Sequence, residues 1–176
     1  MRETFFEKIN KYKKSTKIAY INNKYPDGKL TYKNLIEYAE KFAYHLEEKL
    51  KEDKSPIVVY GHKHPLMPVY FLACVKSGRA FCPVDINTPK ERVEEIIETT
   101  KSKVILITEE TELGCETIDV KTAYDIIQTT NKRIEKKYQV QGEDTFYIIF
   151  TSGSTGKPKG VCITYNNINN FLHWYT

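Results

Sequence analysis

Short continuous apolar runs separated by amphipathic stretches set the rhythm of this chain. Ile57–Tyr60, Phe81–Val84, Val104–Ile107 and Tyr147–Phe150 are too short for buried helices and lack the alternation of half-exposed strands, so they predict strands covered on both faces, while Ile18–Ile21 predicts one arm of a hairpin. Between them the period changes to that of a helix. A basic amphipathic helix is expected up to about Lys14. A longer one follows Thr31, which serves as N-cap, and places Leu35, Ala39, Phe42, Leu46 and Leu50 on one face. The stretch Pro65–Val75 predicts a buried helix ending near Gly78. Thr88, Pro89 and Glu91 predict the start of a helix through Val93, Ile96 and Ile97, and Thr122 with Asp125 the start of another around Ile126 and Ile127. Pro26, Asp27 and Gly28 predict the turn of a hairpin, Pro83 an edge or irregular strand end, and the polar segment 129–144 a linker.

Alternating buried strands and amphipathic helices predict an α/β fold, a doubly wound parallel sheet flanked by helices, with a small N-terminal hairpin. Ligands of such sheets bind at the carboxyl ends of the strands. That end of Tyr147–Phe150 carries the run Thr151 to Gly160, TSGSTGKPKG. Gly153 and Gly156 permit backbone angles closed to other residues and expose main-chain N–H groups. Thr151, Ser152, Ser154 and Thr155 add hydroxyl donors, while Lys157 and Lys159 add positive charge. A flexible Gly/Ser linker has a similar composition, but linkers do not combine a strand exit, paired hydroxyls and two lysines. A polyphosphate is the ligand such a loop suits.

Better-known phosphate and nucleophile motifs are excluded by position. A loop of the form GxxxxGK[ST] on Gly156 and Lys157 needs glycine at Thr151 and a hydroxyl at Pro158, GxGxxG would put its first glycine on Thr151, and no serine sits in GxSxG. The residues after the loop, Val161 to Ile163, predict a short strand rather than the helix that most phosphate loops precede.

Composition narrows the class further. The 176 residues are 40% hydrophobic, enough for one sizeable core, and the net charge of +4 (27 basic against 23 acidic residues) does not call for a nucleic-acid partner. Lysines in the first helix and around 132–137 are expected to be solvated faces, and the His62–His64 pair a solvated turn. Cys74, Cys82, Cys115 and Cys162 lack the spacing of a zinc site or a disulfide framework, which fits reduced thiols in a cytoplasmic protein. Nothing reaches the apolar length of a signal peptide or a membrane span, so no membrane insertion is expected.

TSGSTGKPKG is similar to the signature loop of the adenylate-forming (AMP-binding) superfamily, which includes acyl-CoA synthetases, luciferases and peptide-synthetase adenylation domains. Two further motifs of that superfamily occur in order, Leu30–Leu35 (LTYKNL) and Val75–Asp85 (VKSGRAFCPVD). Asn34 replaces the acid usual in the first, leaving Thr31 a simple N-cap. Within the superfamily, SPIVVYGH (55–62), CPVDINTPKERVEEIIE (82–98) and FYIIFTSG (146–153) most resemble the D-alanine:D-alanyl carrier protein ligases of Gram-positive bacteria.

The resemblance implies an ATP-dependent ligase that activates D-alanine as D-alanyl-AMP and passes it to the phosphopantetheine thiol of a D-alanyl carrier protein, in teichoic acid D-alanylation. It implies that Thr151, Ser152, Gly153, Ser154, Thr155, Gly156, Lys157 and Lys159 hold the β and γ phosphates of ATP. Residues 1–176 are expected to be a truncated N-terminal α/β subdomain, with the magnesium ligand, adenine site and catalytic lysine beyond Thr176. No catalytic or metal-binding residue is assigned within the chain, and this piece alone is expected to bind ATP weakly and to form no adenylate. Apolar residues of the last helix, Phe171, Leu172, Trp174 and Tyr175, suggest surface that would be covered in a larger protein. An adenylate former for another carboxylic acid and a non-catalytic nucleotide-binding module remain open alternatives.

Overall fold

A computed structural model describes residues 3–26, 28–152 and 158–175. Its centre is a sheet of order β6-β5-β3-β4-β7-β8, formed by β3 (Ile57–Tyr60), β4 (Phe81–Val84), β5 (Ile105–Ile107), β6 (Thr117–Ile118), β7 (Thr145–Ser152) and β8 (Pro158–Thr164). All neighbours run parallel except β7 and β8, so the expected parallel sheet gains an antiparallel edge strand. A separate antiparallel pair, β1 (Ile18–Ile21) with β2 (Lys29–Thr31), forms the predicted N-terminal hairpin. The connections are α1 (Phe5–Asn10), α2 (Tyr32–Leu50), α3 (Leu66–Lys76), α4 (Lys90–Thr100), α5 (Val120–Thr129) and α6 (Tyr165–Tyr175).

The continuous apolar strands are explained by cover on both faces. Ile57, Val59 and Leu106 point into a core shared with α2, α3 and α5, where Phe42, Leu46, Val69 and Tyr70 are fully buried. Val58, Cys82, Val84, Ile105 and Ile107 point the other way, onto Val93 and Ile96 of α4. Successive strands feed helices on opposite faces: β3 leads to α3 and β4 to α4. The crevice between the carboxyl ends of β3 and β4 is therefore the topological switch point of the sheet.

Pro83 lies on an interior strand rather than at an edge. Ala80 and Val84 accept from Ile57 and Gly61 of the β3 segment, so the odd-numbered residues turn their backbone toward β7. Pairing with β7 is limited to Phe81 opposite Tyr147, and the N–H that Pro83 lacks falls where the ladder has already stopped. Pro68, in the first turn of α3, likewise removes a donor that would have no intrahelical partner.

Thr31 caps α2 as expected, its hydroxyl accepting from Asn34 N at 3.1 Å. Other helix starts differ from expectation. Pro89, with ψ 142, is itself the N-cap of α4, which leaves Thr88 one residue too early to reach the free amides. Asp119 caps α5 by accepting from Thr122 N at 2.8 Å, so the helix begins before Thr122. Helix α1 stops at Asn10, and turns carry the chain through Lys14. The 129–144 segment is packed rather than free: Ile134 and Val140 are buried, Ile134 N donates to Glu40 O, and Val140 N donates to Val75 O.

Polar groups buried at the amino end of the sheet are heavily bonded. The guanidinium of Arg79, wholly buried, donates to Asp53 O, Lys51 O, Ser77 O and Glu47 Oε2 at 2.6–2.8 Å. It thereby ties the end of α2 to the start of β4. Beside it Gly78 has φ +76, and a Cβ there would lie 2.6 Å from Tyr138 O, so only glycine fits. Lys76 and Glu40 form a second buried pair, joined by Lys13 and Arg133; burial pulls the Lys76 ammonium below its usual range despite the carboxylate beside it. Lys76, Gly78 and Arg79 of the VKSGR segment thus serve the fold. Replacing Arg79 by alanine leaves the carbonyls of Lys51, Asp53 and Ser77 without this donor and Glu47 with Lys54 alone, and is expected to cost about 3 kcal/mol. Urea denaturation at pH 7 would show this as a lower midpoint at unchanged slope.

Candidate nucleotide-binding site

Strand pairing brings the two ends of the Thr151–Gly160 segment together. Ser152 pairs with Pro158 and Thr151 with Lys159, at the carboxyl end of β7. Thr151 Oγ1 donates to Lys159 O at 3.4 Å, and both residues are exposed. Of the expected phosphate-holding residues, the structure thus places Thr151, Ser152 and Lys159 at the tip of the β7–β8 pair. Gly153, Ser154, Thr155, Gly156 and Lys157 lie outside the described residues.

Gly160 explains one glycine for which the sequence offers no reason. A Cβ at this position would come within 3.0 Å of Ile148 Cγ2 and 3.2–3.3 Å of the Phe150 ring. Phe150 is its cross-strand partner, so the bare backbone lets the ring close over β8 and fixes the face that β7 turns to α4.

The neighbouring loops are tied to one another. After β3, Tyr20 Oη and Asn22 Nδ2 donate to Lys63 O at 2.7 and 2.8 Å, and Lys63 sits at φ +53. The N-terminal hairpin thereby straps the β3–α3 loop. That loop presents His62, whose Nδ1 lies 2.7 Å from Asp85 Oδ2 across the switch point. Asp85 Oδ1 accepts from both the backbone and side-chain amides of Asn87, which shapes the turn into α4. These bonds to Asn87 and His62 hold the Asp85 carboxyl down at about 2. Because Asp85 stays ionised, it acts as the acceptor toward His62 Nδ1. From the first turn of α4, Arg92 Nη2 donates to Thr151 O at 2.7 Å.

His64 departs from the expected solvated turn. It is buried edge-on against Tyr25, its Nδ1 accepts from Leu66 N, and burial lowers its affinity for a proton. Among the described residues no group of three His, Cys, Asp or Glu side chains is placed to hold a metal ion. No helix among them is long and apolar enough to cross a membrane. A cavity of about 950 Å³ opens under the N-terminal hairpin, between Tyr25, Asn34, Tyr38 and Tyr124, and neither Thr151 nor Lys159 lines it.

The AMP-binding enzyme family matches residues 5–176. This chain belongs to that family. It is 42% identical over 152 residues to the D-alanine--D-alanyl carrier protein ligase of Bacillus cereus (strain AH187), covering 84% of this chain and 30% of that ligase. The protein of the same name from Bacillus anthracis (strain CDC 684 / NRRL 3495) is 41% identical over 151 residues, with the same coverage. The chain therefore spans about 30% of the length of these curated relatives. Among solved structures, VinN with 3-methylaspartate superposes with a TM-score of 0.76 at 18% identity, over 93% of this chain and 48% of that one. The Klebsiella oxytoca NpsA N-terminal subdomain gives 0.73 at 20% identity, over 93% and 42%. These two likenesses establish the α/β fold, and the ligase relatives carry the enzymatic reading.

The Asp85 anchor has a definite pH signature. A carboxyl held below its unfolded value stabilises the fold above that value and loses the contribution as pH falls toward the folded one. The difference in melting temperature between wild type and Asp85→Asn is thus expected to be constant above about pH 5 and to shrink between about pH 4 and pH 2. Thermal unfolding of both proteins across that range checks it.

Proposed function

We propose that residues 1–176 form the N-terminal α/β subdomain of an ATP-dependent ligase that activates D-alanine for transfer to a carrier protein. The observation that carries this reading is the hydroxyl- and lysine-bearing segment 151–159, its ends paired across β7 and β8 at the carboxyl edge of the sheet. The 42% identity to a D-alanine--D-alanyl carrier protein ligase supports the choice of acyl group.

In the proposed reaction a carboxylate oxygen of D-alanine attacks the α-phosphorus of ATP, and the bond from that phosphorus to the pyrophosphate oxygen breaks. Negative charge grows on the departing pyrophosphate. Donors held around the β and γ phosphates stabilise that charge more strongly in the transition state than in the bound substrate. Thr151 and Ser152 are assigned this role first because they end the strand at the carboxyl edge of the sheet, paired there with β8. Ser154, Thr155, Lys157 and Lys159 add donors and charge, and Gly153 and Gly156 add main-chain amides. Magnesium, bound with the phosphates, would neutralise part of their charge, and its protein ligand is assigned beyond Thr176.

The phosphopantetheine thiol of the carrier protein then takes the D-alanyl group from the adenylate, the step that would supply D-alanine for teichoic acids. Consumption of ATP and four free thiols fit a cytoplasmic setting.

ATP–pyrophosphate exchange by the complete protein with D-alanine, L-alanine and fatty acids tests the proposal. D-Alanine is expected to stimulate exchange most, and Lys159→Ala to slow it by roughly tenfold or more. Exchange driven by another acid would overturn the substrate, and unchanged exchange in the variant would overturn the phosphate-holding role of the loop.

A further inference from the structure

The segment proposed to hold phosphate needs something to fix its root, because its two strands lie at the edge of the sheet. Pairing of β7 with β4 is confined to Phe81 opposite Tyr147, so the last residues of β7 have a strand partner only in β8. A two-stranded ribbon free on one side twists and sways. Arg92 of α4 donates to a carbonyl in this last stretch of β7, that of Thr151.

Arg92 occupies the first turn of α4, and its own N–H donates to Pro89 O. The guanidinium spans 59 residues of sequence to Thr151 O, at 2.7 Å, and its other end lies 3.7 Å from Glu95 Oε2. Its side chain is only 20% exposed, so the bond is partly shielded from water. An arginine is charged at every working pH, and a charged donor to a backbone carbonyl makes a stronger bond than a neutral one. The helix beneath it is fixed in turn. Val93 and Ile96 are buried against β3, β4 and β5, and the turn leading into α4 is shaped by Asp85, which is held by Asn87 and His62.

We infer that Arg92 is a positioning residue for nucleotide binding: by holding the Thr151 carbonyl it sets the angle at which the β7–β8 tip meets the phosphates. This rests on the proposed phosphate-holding role of the tip. Arg92 acts through Thr151 and is not assigned contact with substrate.

Two measurements keep its failure separate from failure of that reading. Hydrogen exchange on this chain without nucleotide reads the tether alone. In Arg92→Ala, amides of the β7 end and β8 are expected to exchange at least several-fold faster, while those of α4 from Val93 onward stay protected. In the complete protein, the KM for ATP is expected to rise and kcat to fall, together lowering kcat/KM for ATP roughly tenfold, in line with loss of a charge-assisted bond, with the KM for the amino acid little changed. Arg92→Lys, which keeps a charged donor, is expected to restore most of both readouts and also serves if the alanine variant folds poorly. Glu95→Gln should leave both as in wild type. Unchanged exchange at β7 and β8 in Arg92→Ala overturns the tether. Faster exchange with an unchanged kcat/KM for ATP overturns its role in nucleotide binding. If wild type itself shows no ATP dependence, the phosphate-holding reading fails, while the exchange result still decides whether Arg92 is a tether.

Discussion

The antiparallel pairing of β7 with β8 is the constraint from which the rest of the candidate site follows. A parallel neighbour would have to leave by a crossover of a dozen or more residues, whereas an antiparallel one can return at once. Here the return occupies the few residues between Ser152 and Pro158. Thr151 and Lys159 consequently stand opposite each other on adjacent strands. Gly160 belongs to the same arrangement, since the Phe150 ring can lie over β8 only where no Cβ intervenes.

The two ends of the sheet are built for different purposes. At the amino end, Arg79 is buried and bonded to the carbonyls of Lys51, Asp53 and Ser77, and Lys76 and Glu40 are buried as a pair joined by Lys13 and Arg133, an arrangement that rigidifies. At the carboxyl end, mostly half-buried polar side chains tie loop to loop: Tyr20 and Asn22 to Lys63, His62 to Asp85, Arg92 to Thr151. Such bonds orient loops while leaving the strand tips open, which is the condition a ligand site at a switch point requires.

Strands were legible in the sequence because a strand covered on both faces must be apolar at every position, as Ile57–Tyr60 and Ile105–Ile107 are. Helix starts were less so. Thr88 and Thr122 have the right side chains for caps, but capping depends on which residue has extended backbone, and that fell to Pro89 and Asp119. His64 looked like part of a polar turn because its burial depends on Tyr25, which comes from a distant hairpin. The candidate loop stood out through its hydroxyls and lysines at a strand exit, the features on which its phosphate-holding role is proposed. Arg92 did not, since nothing local marks a bond across 59 residues. Gly160 likewise reads as punctuation until its cross-strand neighbour is known.

The connector between α5 and β7 has the makeup of a spacer, yet it is pinned at Ile134 to α2 and at Val140 to the end of α3. Distances along it are therefore set by the core and not by chain entropy. It behaves as a strut of fixed gauge: one residue more or fewer between those pins would pull Ile134 or Val140 from its buried place and its bond. A length change after Val140 would reach β7 itself, where a one-residue slip would turn Ile148 and Phe150 away from α4 and carry the strand tip out of register with β8.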